Sequence, residues 1–100
     1  MVVVLCGTPA WADSLDVQLE GRDGENVRLS VEFVNDSGDT YKEVALTCVA
    51  ERDGDKLAER TQELEIPAGG IRPGFRTVVK MTLYVGGAYV SRVHCTSKTR

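Results

Sequence analysis

The 100-residue sequence has few of the motifs that usually carry catalysis or bind metal. It contains one histidine, His94, and no Cys-x-x-C pair. A structural zinc site needs about four cysteine or histidine ligands, and His94 cannot complete one with two cysteines. The sequence also has no nucleophile elbow, phosphate-binding loop or metal-binding helix motif. We therefore expect a protein that is not an enzyme and that has no catalytic residue, cofactor or metal.

Long apolar runs, low-complexity tracts and internal repeats are absent as well. A transmembrane helix needs roughly 20 consecutive apolar residues, so we expect no transmembrane segment. A domain of this length buries only a modest fraction of its surface, which makes a covalent cross-link valuable. We expect one folded domain over residues 13–100.

The first twelve residues contain no charged side chain. They begin with an apolar run, Val2 to Leu5, and end with Ala10-Trp11-Ala12. The two small residues of that ending fit the pattern that a signal peptidase cleaves. Residues 1–12 are therefore interpreted as a signal peptide or a remnant of one, with a mature chain that begins at Asp13 in a periplasmic or secreted protein. The alternative is an ordinary apolar first strand.

The cysteine count agrees with removal of a leader. The chain has three cysteines, and loss of Cys6 with residues 1–12 would leave Cys48 and Cys95. Two cysteines in an oxidising compartment are typical of a single disulfide. We expect the bond Cys48–Cys95, with two separate buried thiols as the alternative.

Turn residues recur along the chain, whereas helix signals are nearly absent. Between the turns, apolar and polar residues alternate with period two, which is typical of half-buried strands. The alternation covers residues 15–19, 27–33, 44–50 and 75–85, and a last strand is expected over about 89–95. Residues 56–65 follow the hairpin signal Asp53-Gly54 and are interpreted as an edge strand. Six or seven such strands predict an all-β fold, a small antiparallel immunoglobulin-like β-sandwich.

The register of the last two strands is predicted from the side-chain faces that must match. If the strands form a hairpin through the three-residue loop 86–88, Met81 lies opposite Val93 and Cys95 faces the core. A two-residue turn would direct polar side chains of the last strand toward the core, which costs several kcal/mol. We therefore expect the three-residue loop. Because Cys48 also faces inward on its strand, the two cysteines are expected to meet across the sandwich.

Acidic residues are absent after Glu65. All fifteen acids lie within residues 13–65, whereas residues 66–100 contain six basic residues. In the predicted hairpin, the basic and aromatic side chains of this stretch share the outward face. The predicted partner-binding residues are Arg76, Lys80, Tyr84, Arg92, His94 and Lys98. Such a face suits an acidic protein or another anionic partner. Nucleic acid is not expected, because the chain has a net charge of −3.

The same basic residues have a second interpretation, a solvated face whose charges pair with neighbouring acids. Glu43 and Glu51 point outward from the predicted strand that contains Cys48. An immunoglobulin-like strand order would place that strand beside residues 75–85. Ion pairs between the strands would then neutralise part of the basic face.

Several turn motifs resemble those of bacterial FxLYD-type immunoglobulin-like domains, over about residues 26–97. They are a strand followed by Asn35-Asp36-Ser37-Gly38, the segment Tyr41-Lys42-Glu43-Val44-Ala45-Leu46, the turn Asp53-Gly54-Asp55-Lys56, and Ile71-Arg72-Pro73-Gly74-Phe75. In place of the Phe-x-Leu-Tyr-Asp strand that names the family, the chain has Leu46-Thr47-Cys48-Val49-Ala50. The resemblance implies an extracytoplasmic immunoglobulin-like domain and transfers no functional residue.

Taken together, these features predict an exported, non-catalytic binding module that recognises a protein or other anionic partner through its last hairpin. The alternative is a periplasmic inhibitor or a factor that restrains the assembly of a secreted protein. Small immunoglobulin-like proteins of curli systems are a looser likeness of that kind. The sequence leaves the partner and the oligomeric state open.

Overall fold

The computed structural model of the chain describes residues 14–100. The predicted leader, residues 1–12 with Cys6, and the predicted first mature residue, Asp13, lie outside the described residues. The described chain forms six strands and no helix: β1 (Ser14–Asp23), β2 (Asn26–Val34), β3 (Val44–Arg52), β4 (Asp55–Glu63), β5 (Arg76–Tyr84) and β6 (Arg92–Thr99). The predicted all-β sandwich is confirmed.

The six strands form two three-stranded antiparallel sheets. One sheet has the order β1-β2-β5 and the other β4-β3-β6. This order corresponds to strands A-B-E and C′-C-F of an immunoglobulin domain. β1 contacts β6 on one side of the sandwich, and β4 contacts β5 on the other. Within residues 14–100, these four strands are the edge strands of the two sheets.

The core follows from the period-two alternation of the strands. On β2, the four apolar residues from Val27 to Phe33 are buried and the residues between them face outward. On β3, Val44, Leu46, Cys48 and Ala50 do the same from the facing sheet. Fully burying one aliphatic or aromatic side chain contributes about 1.5–3 kcal/mol, so these alternating rows supply most of the attraction between the sheets.

The predicted turn at Asp53-Gly54 connects β3 to β4. Both residues have positive φ, 51° at Asp53 and 92° at Gly54. This is the backbone of a type I′ hairpin turn, which Asp-Gly pairs favour because glycine and aspartate tolerate the left-handed region. The predicted edge strand over 56–65 is therefore present as β4.

The disulfide Cys48–Cys95 is present, with an S–S distance of 2.04 Å. Its position differs from the expected one. Cys48 on β3 is the direct register partner of Cys95 on β6, so the bond joins neighbouring strands of one sheet. The expectation that it would cross the sandwich is wrong, because β6 pairs with β3 and not with β5.

The predicted hairpin of the last two strands is also wrong. β5 pairs with β2, where Met81 lies opposite Leu29, and β6 belongs to the facing sheet. Residues 85–91 carry the chain from one sheet to the other. Their start is held by the backbone bond from Val85 N to Glu25 O, and their end by the bond from Ser91 N to Glu51 O. The last strand begins at Arg92 and not at about residue 89 as expected.

Asn35 organises the loop after β2. Its side chain is completely buried. Its amide nitrogen donates to Asp39 O at 2.9 Å and to Ile71 O at 3.0 Å. Its carbonyl oxygen accepts from Ser37 N at 3.0 Å and from Ser37 Oγ at 2.6 Å. All hydrogen-bonding capacity of this amide is used within the fold, so Asn35 is a structural residue.

Candidate functional site

The six predicted partner-binding residues all lie on outward positions of their strands, but they do not share a face. Arg76, Lys80 and Tyr84 lie on β5, outside the sheet β1-β2-β5. Arg92, His94 and Lys98 lie on β6, outside the opposite sheet. The structure therefore separates the predicted single basic face into two groups on opposite sides of the molecule.

The β5 group is tied to acids on β1, β2 and the turn between them. Lys80 Nζ contacts the Glu20 carboxylate at 2.8 Å. Arg76 Nη1 lies 3.8 Å from Glu32 Oε2. The hydroxyl of Tyr84 donates a hydrogen bond of 2.8 Å to Glu25 Oε2 (Glu25 precedes β2). Exposed pairs of this kind contribute about 0–1 kcal/mol to stability, but they reduce the net positive charge that the strand presents.

The β6 group shares one acid on β3. The Glu51 carboxylate lies 3.8 Å from Arg92 Nε and 3.9 Å from His94 Nε2. Nη2 of Arg92 also lies 3.4 Å from His94 Nδ1. His94 Nε2 is buried and makes no hydrogen bond within residues 14–100. The solvated-face interpretation named Glu51 as a neutralising acid; the contact is present, although β3 lies beside β6 and not beside β5.

Lys98 is placed differently from the other five residues. It lines a surface pocket of about 430 Å³ at the beginning of β3. The pocket is lined by Glu43, Val44, Ala45, Glu63, Leu64, Ile66, Lys98 and Arg100. The lining combines charges of both signs with aliphatic side chains, and it contains no hydroxyl or thiol nucleophile and no imidazole base.

Sequence reasoning missed one residue of the β5 face. Val78 is 51% exposed and stands between Arg76 and Lys80. Because Val78 and Val79 are adjacent on a strand, one of them must face outward. The two adjacent valines therefore indicate in the sequence that β5 has an exposed apolar residue. We call the outward residues of β5, namely Arg76, Val78, Lys80, Thr82 and Tyr84, the β5 strip.

The β5 strip combines exposed apolar and aromatic side chains with charged side chains that pair with acids. Val78 and Tyr84, at 51% and 64% exposure, are two of the four large apolar residues that the described chain leaves exposed. Tyrosine and arginine are enriched in interface hot spots, whereas lysine, valine and threonine are not. The neighbouring acids hold the charged side chains of the strip in place.

The described part of the chain shows neither a cluster suited to a metal ion nor a helix able to cross a membrane. Among residues 14–100, no group of three or more His, Cys, Asp and Glu side chains is placed to hold a cation. The same residues include no helix that is long and apolar enough to span a bilayer.

The fold and these surfaces define a six-stranded, disulfide-linked β-sandwich with two separate outward basic groups. No protein-family model matches the chain, and no curated protein or solved structure matches it either. The resemblance to FxLYD-type domains therefore stays a prediction from turn residues, and function has to be argued from the surfaces themselves.

Proposed function

We propose that this chain is an exported, non-catalytic module that binds a protein partner through the β5 strip. The observation that carries the proposal is the exposure of Val78 and Tyr84 on one strand face, beside the charged side chains of Arg76 and Lys80, which pair with acids of the same sheet. Burying an exposed valine and tyrosine on association releases water from apolar surface, which is the main attractive term in protein association.

Electrostatic attraction has a smaller part in this recognition than the sequence suggested. Lys80 and Arg76 are already paired with Glu20 and Glu32. An acidic partner would have to displace these carboxylates to gain the full Coulomb energy. Binding through the strip should therefore depend only weakly on salt, since these two cations are already paired within the sheet.

The experiment measures the affinity of the partner for two tyrosine variants. The partner is first captured from the native extracytoplasmic fraction with the immobilised protein and then purified. Tyr84→Ala should weaken its binding about tenfold or more, as expected for a hot-spot residue. Tyr89→Ala is the matched control, because Tyr89 is also exposed (55%) and its hydroxyl also donates to an acid, Asp53.

A second variant tests the apolar part of the strip. Val78→Glu places a charge in the apolar part of the proposed interface and should abolish binding, since a charge there would be desolvated. Val78 lies opposite Glu32, so the new carboxylate should lower the thermal stability slightly, but the variant should still fold because Val78 belongs to the outer face and not to the core. Equal effects of both tyrosine variants, together with full binding by Val78→Glu, would contradict the proposal.

Export has its own test. The disulfide Cys48–Cys95 and the lack of a membrane-crossing helix in residues 14–100 are compatible with an exported protein. Intact-mass analysis of the protein from the extracytoplasmic fraction should give a chain that begins at Asp13. A mass that includes residues 1–12 would contradict the leader.

A further inference from the structure

The free edge of β6 presents a continuous row of backbone hydrogen-bonding groups. β6 pairs with β3 from Arg92 to Thr99 without a register shift, and no strand of residues 14–100 pairs with its other edge. Just beyond the strand, Arg100 N donates to Glu43 O at 2.9 Å and Glu43 N donates to Arg100 O at 3.2 Å.

This pair of hydrogen bonds determines which backbone N–H and C=O groups of β6 point to the free edge. In an antiparallel ladder, hydrogen-bonded and non-hydrogen-bonded pairs alternate. Because Arg100 is a bonded partner of β3, the alternate residues Val93, Cys95, Ser97 and Thr99 direct their N–H and C=O groups away from β3. Within residues 14–100, no hydrogen bond reaches these groups. They can therefore accept another strand.

The other three outer strands are less suited to this role. β1 has an irregular register between Leu19 and Gly21, and the pairing of β4 with β3 shifts between Ala50 and Glu51. Such bulges disturb the regular row of edge groups. On β5, the carbonyl of Thr82 already accepts a hydrogen bond of 3.1 Å from Arg60 Nη1. β6 pairs with β3 without an irregularity, and no residue from 14 to 100 makes such a covering contact with its edge.

The core is incompletely covered on the same side of the sandwich. Leu19 of β1 lies opposite Leu29 of β2 and therefore faces the core side of its sheet. Leu29 is 1% exposed, whereas Leu19 is 46% exposed. Since β1 contacts β6 across the sandwich, a strand added to β6 would lie on the side where Leu19 is uncovered. Its inward side chains could bury apolar surface there.

The basic side chains of β6 indicate which kind of strand its edge would accept. The outward side chains of β6 include Arg92, His94 and Lys98. If two copies of β6 paired antiparallel, these basic residues would face each other, and like charges directly opposite are destabilising. Glutamate or aspartate at the outward positions of an added strand would instead lie beside Arg92 and Lys98.

We propose that the free edge of β6 is an acceptor site for an extended segment of a protein partner in which apolar residues alternate with acidic ones. The segment would hydrogen-bond to the free edge, place its apolar residues toward Leu19 and place its acids beside Arg92 and Lys98. This site is distinct from the β5 strip, which lies on the outer face of the opposite sheet.

The test uses the full chain and a synthetic peptide that alternates valine with glutamate and is long enough to span β6. Amide hydrogen exchange followed by NMR should show that the peptide protects Val93, Cys95, Ser97 and Thr99. A peptide that alternates valine with lysine should not. Ser97→Pro removes one edge N–H without removing a bond to β3, and it should weaken binding of the glutamate peptide.

The charge variants keep the test decisive if the proline variant fails to fold. Arg92→Glu with Lys98→Glu should weaken binding of the glutamate peptide about tenfold or more. Arg76→Glu with Lys80→Glu makes the same change in net charge on the β5 strip and should leave peptide binding unchanged. If the Arg76→Glu with Lys80→Glu variant fails to bind the native partner but still binds the peptide, the result bears on the β5 strip and not on the β6 edge.

Three results would overturn the proposal. The first is protection of amides outside β6 by the glutamate peptide, or no binding at all. The second is equal binding of the lysine peptide. The third is protection of Val93, Cys95, Ser97 and Thr99 before any peptide is added, because the edge is then already occupied by the chain itself or by a second copy.

Discussion

Cys48 and Cys95 lie directly opposite each other on β3 and β6, with their Cα atoms 4.0 Å apart. The bond closes a loop of 47 residues, which includes all of β4 and β5. Cross-linking a loop of this length restricts the unfolded chain and stabilises the fold by about 4 kcal/mol in the chain-entropy model. The double variant Cys48→Ser with Cys95→Ser should lower the free energy of unfolding by about this amount.

Chemical denaturation of the oxidised protein and of the double variant measures the difference. Thiol titration of the denatured, non-reduced protein provides the control, since Cys48 and Cys95 should contribute no free thiol. If the double variant is as stable as the parent, the bond has no stabilising role in the fold.

A second prediction concerns the buried amide of Asn35. Asn35→Ala would remove the two hydrogen bonds that its amide nitrogen donates to Asp39 O and Ile71 O and the two that its carbonyl oxygen accepts from Ser37. Each such bond contributes about 0.5–1.5 kcal/mol, so we expect a loss of roughly 2–4 kcal/mol in the free energy of unfolding for the four bonds together. Urea denaturation measures it.

Ser37→Ala is the control for Asn35→Ala. Ser37 Oγ also bonds to Asn35 Oδ1, but it lies nearer the surface, where water can replace the lost partner. Ser37→Ala should lower the free energy of unfolding by about 1 kcal/mol or less. Equal losses for the two variants would show that the loop is held by its turn and not by the buried amide.

The sequence was sufficient to predict the individual strands and their inward faces. On β2, any sheet partner requires Val27, Leu29, Val31 and Phe33 to face the core, so the alternation alone decides their burial. The same holds for the turn at Asp53-Gly54, whose positive φ values are a local preference. The Cys48–Cys95 bond was predicted from the cysteine count.

The pairing of β5 and β6 could not be predicted in this way. The alternation of β5 is the same whether its partner is β2 or β6, so only long-range contacts decide between them. The deciding contacts, such as Ser91 N to Glu51 O, join residues that are far apart in sequence. The wrong pairing made the predicted site wrong as well, since Arg76 and Arg92 share a face only if β5 and β6 are neighbours.

A third prediction uses two glycines with the same backbone conformation. Gly70 has φ 85° and Gly87 has φ 82°, so alanine is strained at both positions. A Cβ atom at Gly70 would also lie 2.8 Å from the backbone oxygen of Tyr41, whereas nothing lies within 4 Å of one at Gly87. Gly87→Ala should cost about 1 kcal/mol for its conformation alone.

Gly70→Ala should lower the free energy of unfolding by at least about 2 kcal/mol more than Gly87→Ala does. The added clash is with the backbone of Tyr41, which pairs with Ile71 in an isolated antiparallel β-bridge. Thermal and urea denaturation of both variants give the difference. Equal losses would mean that the backbone around Tyr41 moves away at little cost, and that the bridge is not a rigid part of the fold.

The last prediction concerns Tyr89, which anchors the crossing segment 85–91 to the turn between β3 and β4. Its hydroxyl donates a hydrogen bond of 2.5 Å to Asp53 Oδ2. This bond, with smaller contributions from desolvation and from the Asp53 charge, raises the pKa of Tyr89 above the ordinary value of 10.0, while Arg52 acts in the opposite direction. Asp53→Asn should therefore lower the pKa of Tyr89, and Arg52→Gln should raise it further. Asparagine suits the positive φ of residue 53, so the first change should leave the turn intact.

The sign of the pH effect follows from the raised pKa. The neutral phenol is the form that donates to Asp53, so this contact stabilises the fold fully below the pKa of an unfolded tyrosine, about 10, and is lost as the pH rises through the folded value. An ultraviolet titration of tyrosinate, with the Tyr89→Phe variant subtracted to isolate this residue, measures the pKa in each protein. Opposite shifts in the Asp53→Asn and Arg52→Gln variants are expected. If both variants shift the pKa in the same direction, or neither does, Tyr89 does not hold the crossing segment to the turn through Asp53.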